Sequence, residues 1–136
     1  MNKKQWGMTL IELMIVIAII AIIGMVAFPS YLDRIRETRK TDGVAMINKV
    51  MQAQERFFVN NLTYTINLTD LGFANDSGLP SEEGFYLISA ASCGTGLTDC
   101  VNITAVAQGS QDTDASDTVD NLTLNSQGTK SADNWP

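Results

Sequence analysis

Residues 8–28 read MTLIELMIVIAIIAIIGMVAF, and apart from Thr9 and Glu12 no side chain in the run is polar. At a helical rise of about 1.5 Å per residue such a run makes a rod of roughly 31 Å, the thickness of a bilayer hydrocarbon core. Lys3 and Lys4 precede it with no acidic residue between. The positive-inside rule then predicts a cytoplasmic N-terminus and a periplasmic or extracellular remainder. Within the rod, Glu12 is the anomaly: a carboxylate in an apolar span costs on the order of 3 kcal/mol even on a lenient insertion scale, so it needs a partner or a route to the headgroups.

The chain outside this stretch has a different composition. Pro29 would ordinarily stop or kink a helix, because it lacks an amide hydrogen and its ring clashes with the preceding turn. Yet Leu32, Ile35, Val44, Ile47, Met51 and Phe58 recur at helical spacing, with Arg34, Arg36, Glu37, Arg39, Lys40, Lys49 and Glu55 between them. This periodicity predicts an amphipathic helix to about Asn60, continuous with the rod. From Leu62 to Gly84 the residues are those of loops, punctuated by Gly72, Gly78, Pro80 and Gly84, and no regular element longer than a turn is expected. Three β-prone runs follow, Phe85–Ala91, Val101–Gln108 and Val119–Asn125. The expected fold class is therefore α+β. A long N-terminal helix, its first half exposed, packs through its second half on a small antiparallel sheet. The segments are 1–7 (leader), 8–28 (apolar helix), 29–60 (amphipathic continuation) and 61–136 (loop and sheet), the last two forming one globular unit.

Charge is distributed unevenly. Of nine Lys and Arg residues eight lie at or before Arg56, while ten of the fifteen acidic residues follow it, giving a net charge of −6 overall. The C-terminal part is thus an acidic surface, a poor electrostatic partner for nucleic acid or anionic lipid, and no nucleic acid is expected to bind. Cys93 and Cys100 are the only cysteines and there is no histidine. Two cysteines flanking a glycine-containing turn in an exported chain predict a disulfide, worth about 2.5 kcal/mol for a loop of eight residues. The lack of histidine excludes Ser/His/Asp and Cys/His catalysis, and no phosphate-binding loop occurs. No cofactor and no enzymatic activity are expected.

The stretch Gly7–Tyr31, GMTLIELMIVIAIIAIIGMVAFPSY, resembles the class III signal sequence of type IV pilins. The resemblance rests on a short basic leader, a glycine, a hydrophobic first mature residue, Glu12 as fifth mature residue, and a proline followed by Ser-Tyr. It implies that a prepilin peptidase cuts after Gly7 and methylates the new amine of Met8, where the family usually has phenylalanine. It also implies that Glu12 pairs with the N-terminal amine of an adjacent subunit during assembly. Family members often have glycine where this chain has Ala21; Gly24 with Pro29 supplies the helix flexibility instead. The C-terminal part is similar, more weakly, to Gram-negative minor pilins at Gln54–Phe58, Leu62–Thr65, Asp70–Gly72, Gly84–Tyr86 and Leu122–Asn125 with Gly128. That group commonly carries cysteines where Val119–Asn121 and Asn134–Pro136 stand here. The resemblance implies a structural pilus subunit, a minor pilin, whose partners are the prepilin peptidase, the pilus assembly platform, other pilins and itself. The alternatives are a type II secretion pseudopilin and a DNA-binding competence pilin, the latter needing a basic stripe that this chain lacks beyond Arg56.

Two further features read blandly. Asn61, Asn67, Asn102 and Asn121 each begin a glycosylation sequon, but such triplets are frequent in Thr/Asn-rich β proteins. Asp112, Asp114, Asp117 and Asp120 lack the glycine and terminal Glu of an EF-hand, so no metal ligand is assigned.

Overall fold

The computed structural model describes residues 8–94, 96–112, 121–130 and 135, without the side chains of 26–30. One helix, α1 (Leu10–Asn61), runs 52 residues. The chain divides into two compact units, residues 1–35 and 36–136, and α1 contributes to both. In the first unit every residue from Met8 to Met25 is exposed, the large apolar ones by between 44% (Val16) and 77% (Leu10). Helical assignment continues through Pro29 and ends at Asn61, so the continuity and the terminus expected from the sequence both hold.

The second unit is built on the remaining turns of α1. Met46, Ile47, Val50 and Ala53 are buried, at the three- and four-residue spacing that keeps one helical face toward a partner. That partner is an antiparallel meander of β1 (Leu79–Pro80), β2 (Tyr86–Ser92), β3 (Val101–Ala107) and β4 (Leu122–Asn125) in spatial order β1-β2-β3-β4. Alternate residues Tyr86 and Ile88, Val101, Ile103, Ala105 and Ala107, and Leu122 and Leu124 form the buried face. The period-two pattern of the sequence is thereby spent on one side of the sheet. Registers such as Ile88↔Ala105 and Ala105↔Leu122 bring these side chains into rows under the helix. Each fully buried large aliphatic contributes about 1.5–3 kcal/mol.

Close approach of sheet to helix depends on Gly43. A β-carbon there would lie 2.9 Å from the Tyr86 ring and 3.0 Å from Leu122. Gln54 performs a second task. Fully buried, it accepts from the Thr65 N–H (3.1 Å) and donates to the Thr65 carbonyl (2.6 Å), giving a loop residue the two backbone partners a strand would have given it. Gln111, also fully buried, donates to the Arg36 carbonyl (3.0 Å) and the Tyr86 hydroxyl (3.1 Å), which pins the turn after β3 to the helix.

Three strands match the runs expected from the sequence, although residues 119 and 120 of the last run lie outside the described residues. The fourth, β1, falls within what the sequence reads as loop. Its two residues pair with Leu87 and Ile88, and because Pro80 contributes no amide hydrogen the pattern carries no strand signal there. The Leu68–Leu71 stretch is a 3-10 turn capped by the Asn67 side chain and by left-handed Gly72, consistent with nothing longer than a turn. The disulfide expected between Cys93 and Cys100 is present and closes the β2–β3 hairpin.

α1 ends in a left-handed cap made by a leucine. Leu62 has φ +54°, and its N–H donates to the Phe58 carbonyl at 2.8 Å. Glycine or asparagine is usual in this position, and a side chain with a β-carbon costs about 1–2 kcal/mol there.

Gly43→Ala is expected to destabilise the second unit by about 1–3 kcal/mol through overpacking against Tyr86 and Leu122. A fall in the thermal midpoint of its near-ultraviolet circular dichroism checks this, and Gly24→Ala, whose β-carbon would meet nothing within 4 Å, serves as the neutral comparison.

Candidate assembly site

The first turn of α1 carries a reciprocal cap. The Glu12 N–H donates to Thr9 Oγ1 at 3.3 Å, and the Thr9 N–H donates to Glu12 Oε2 at 3.5 Å, the long end of hydrogen bonding. Thr9-Leu-Ile-Glu12 is thus a capping box, in which side chains satisfy amide groups that have no partner within the helix. Its S/T-x-x-E signature was available in the sequence, and the reading of Glu12 as a misplaced charge overlooks it. The carboxylate sits at the positive end of the helix dipole, beside backbone amides that have no partner within the helix. Both Glu12 and Met8 are exposed, so the carboxylate and the backbone at the start of the rod remain accessible to another molecule.

The other residues singled out from sequence fall as follows. Gly7 lies outside the described residues. Gly24 is exposed on α1 with open space where a β-carbon would stand. Pro29 is within α1, its side chain outside the described set. Cys93 and Cys100 are brought together in the second unit. Asp114, Asp117 and Asp120 are also outside the description, and among the described residues no group of three or more His, Cys, Asp or Glu side chains could hold a metal ion. Among the described residues no helix is long and apolar enough to cross a membrane. The span expected over 8–28 includes three residues whose side chains are not described, and it rests on the sequence.

Several basic side chains of α1 are engaged within the second unit. Arg39 donates to Ser110 Oγ at 2.8 Å and stacks 4.3 Å from the Phe85 ring centroid. Lys49 pairs with Glu82 at 3.1 Å and Lys40 with Glu37 at 3.2 Å. Lys130 lies over the Trp135 ring at 4.7 Å. Such exposed pairs are worth about 0.2–1 kcal/mol each, but they occupy cations that a phosphate backbone would need.

At the end of α1 a second cluster forms around Tyr64. Its ring stacks on Phe58 with centroids 4.6 Å apart, its hydroxyl donates to Glu55 Oε1 at 3.2 Å, and its N–H donates to the Leu97 carbonyl in the disulfide-closed hairpin at 2.8 Å. Burial pushes the phenol above its ordinary pKa of 10.0, a hydrogen bond with Ser126 opposes this, and the Glu55 carboxylate reinforces it. The hairpin and the helix end are therefore mechanically joined through one residue.

A structure described as a type IV pilin from Shewanella oneidensis is similar to 74% of this chain and 98% of its own length, with a TM-score of 0.50 and 19% identity, which establishes a pilin fold. Residues 2–28 match the prokaryotic N-terminal methylation motif. Since residues 29–120 match the family described as "Type IV minor pilin ComP, DNA uptake sequence receptor", the chain belongs to the type IV pilin family. It is 36% identical over 89 residues to the type IV wide pilus major component PilA4 of Thermus thermophilus, covering 65% of this chain and 68% of that protein. It is 31% identical to the major pilin PilA of Myxococcus xanthus (66% of this chain, 40% of that one) and 34% identical to PilE of Neisseria gonorrhoeae (58% and 47%). The match thus spans less than half the length of the latter two. Type IV pilins are structural, non-enzymatic subunits, as the resemblance of the sequence implied.

The Tyr64 environment carries a pH signature. Because its pKa is raised in the folded state, its contribution is fully present below the unfolded value near 10 and is lost as pH rises through the folded value. Alkaline unfolding of the second unit is expected to shift to higher pH in Tyr64→Phe relative to its own neutral-pH stability, as followed by denaturant midpoints between roughly pH 8 and 11.

Proposed function

We propose that the chain is made as a prepilin, cut after Gly7 by a prepilin peptidase, methylated on Met8, and held in the inner membrane with its N-terminus cytoplasmic until an assembly platform transfers it to an extracellular pilus. The observation that carries this reading is the unbroken exposure of the apolar stretch from Met8 to Met25 in a chain of this family. Moving such a helix from lipid to a bundle of like helices exchanges one apolar solvent for another. Glu12 is the residue that distinguishes the two environments. In the isolated subunit its carboxylate is shared with the Thr9 amide; in the filament the methylated amine of a neighbour's Met8 replaces that weak bond with a charge-assisted one and fixes register. Gly24 and Pro29 lend α1 the flexibility to fit the bundle.

Within the pilus the chain acts as a minor subunit, consistent with the family matched by residues 29–120. The three relatives are pilus components by name, which favours a pilus over a type II secretion pseudopilin. A second reading is favoured by the description of the matched family as a DNA uptake sequence receptor. Against it stand the acidic composition after Arg56 and the engagement of Arg39, Lys40 and Lys49 within the subunit. Salt-sensitive retention of DNA by the mature protein at micromolar concentration would place the receptor reading first.

The direct test is the mass of the protein recovered from sheared filaments. It is expected to begin at Met8 with one added methyl, and a retained Met1 would refute the processing. Glu12→Val is expected to insert into membrane at least as well as the parent, yet to enter filaments about tenfold less or worse, since one tenfold step corresponds to only ~1.4 kcal/mol.

A further inference from the structure

Single exposed apolar residues are ordinary on protein surfaces. Leu62 is not ordinary, because the chain accepts an unfavourable backbone conformation in order to display it. It occupies the left-handed cap of α1 at φ +54°, is 74% exposed, and follows Asn60 and Asn61, residues suited to that conformation. Three positions earlier Val59 is 77% exposed. The flanking Asn60, Asn61 and Thr63 are uncharged, and the two asparagine amides are turned inward to the Arg56 and Phe57 carbonyls at 3.0 and 2.9 Å. A small apolar knob therefore sits at the end of the helix, flanked by uncharged Asn60, Asn61 and Thr63 and with exposed Glu55 and Arg56 one turn back beside Val59. Strain retained at an exposed position points to a contact outside the subunit.

We propose that Val59 and Leu62 dock against the apolar rod, residues 8–28, of a second copy of this chain in the filament. The inference rests on the assembly reading given above. The occupant follows from chemistry: between Leu10 and Met25 the rod carries a single charge, Glu12, and presents exposed apolar side chains all round, whereas a neighbouring head, with ten acidic residues after Arg56, offers mainly charge and repels its own kind. The knob would give each subunit's helix end a lateral grip on a neighbour that the membrane-bound monomer does not use.

Strain and docking make opposite demands on one residue, which makes the proposal testable. Leu62→Asn suits the left-handed cap and removes the apolar contact. In mature protein it is expected to raise the thermal midpoint of the second unit by about 3–6 °C while reducing recovery in sheared filaments at least fivefold. Val59→Asn, on ordinary helical backbone, is expected to reduce filament recovery without raising the midpoint. A photo-crosslinking benzophenone residue at Val59 is expected to attach to residues 8–28 of another copy. Unchanged filament recovery for Leu62→Asn overturns the inference, as does a lowered midpoint, which would mean that Leu62 packs within its own subunit. Crosslinks confined to residues 36–136 of a neighbour, or to a different protein, also overturn it. Absence of the unsubstituted chain from filaments would instead sink the assembly reading itself, and this inference with it.

Discussion

Apolar surface that a chain does not cover itself must be covered by something else, and in this protein that constraint governs both units in opposite ways. The turns of α1 around Met46, Ile47 and Val50 find their cover in the sheet, so the second unit has a core of its own. The turns from Leu10 to Met25 find none among the described residues. A helix that is apolar on all sides has no preferred face, so lipid or a bundle of similar helices suits it equally.

The second unit is small, and its sheet alone would bury too little surface to be stable. Three features compensate. Gly43 lets the helix sink onto Tyr86 and Leu122, Gln54 lends backbone partners to Thr65, and the Cys93–Cys100 bond closes a hairpin whose Leu97 carbonyl holds Tyr64. The last two meet at the end of α1, so the loop following the helix is braced from the helix side and the hairpin side at once.

Much of this architecture was legible in the sequence because hydrophobic period is a strong signal. The rod, the amphipathic continuation to the paired asparagines, three strands and the disulfide all follow from pattern and from cysteine count. What escaped was decided by single residues acting through tertiary contact. Two residues containing a proline do not look like a strand until Leu87 and Ile88 pair with them. Gln54 and Gln111 look like surface residues, since nothing local indicates that a loop backbone or a helix carbonyl needs a buried amide. Leu62 carries no turn signature although it makes the turn. The capping box is the exception: Thr9 and Glu12 stand at its spacing in the sequence, inside a run whose apolar character otherwise dominates the pattern. The family was legible at the N-terminus, where residues 2–28 form a linear motif, and less so in the head, where the likeness was spread over short separate segments.

The shape of the sheet bears on a hazard peculiar to filaments. Subunits arrayed side by side hold their domains at high local concentration for the life of the fibre, conditions under which unpaired strand edges template one another. Here one edge strand, β1, has two residues and includes Pro80; the other, β4, has four, and the chain folds back so that Lys130 bridges Leu124. Among the described residues neither edge presents a run long enough for a neighbouring sheet to extend. If assembly runs through the helices as proposed, the same short strands that make the sheet look incomplete also deny it a cross-β route.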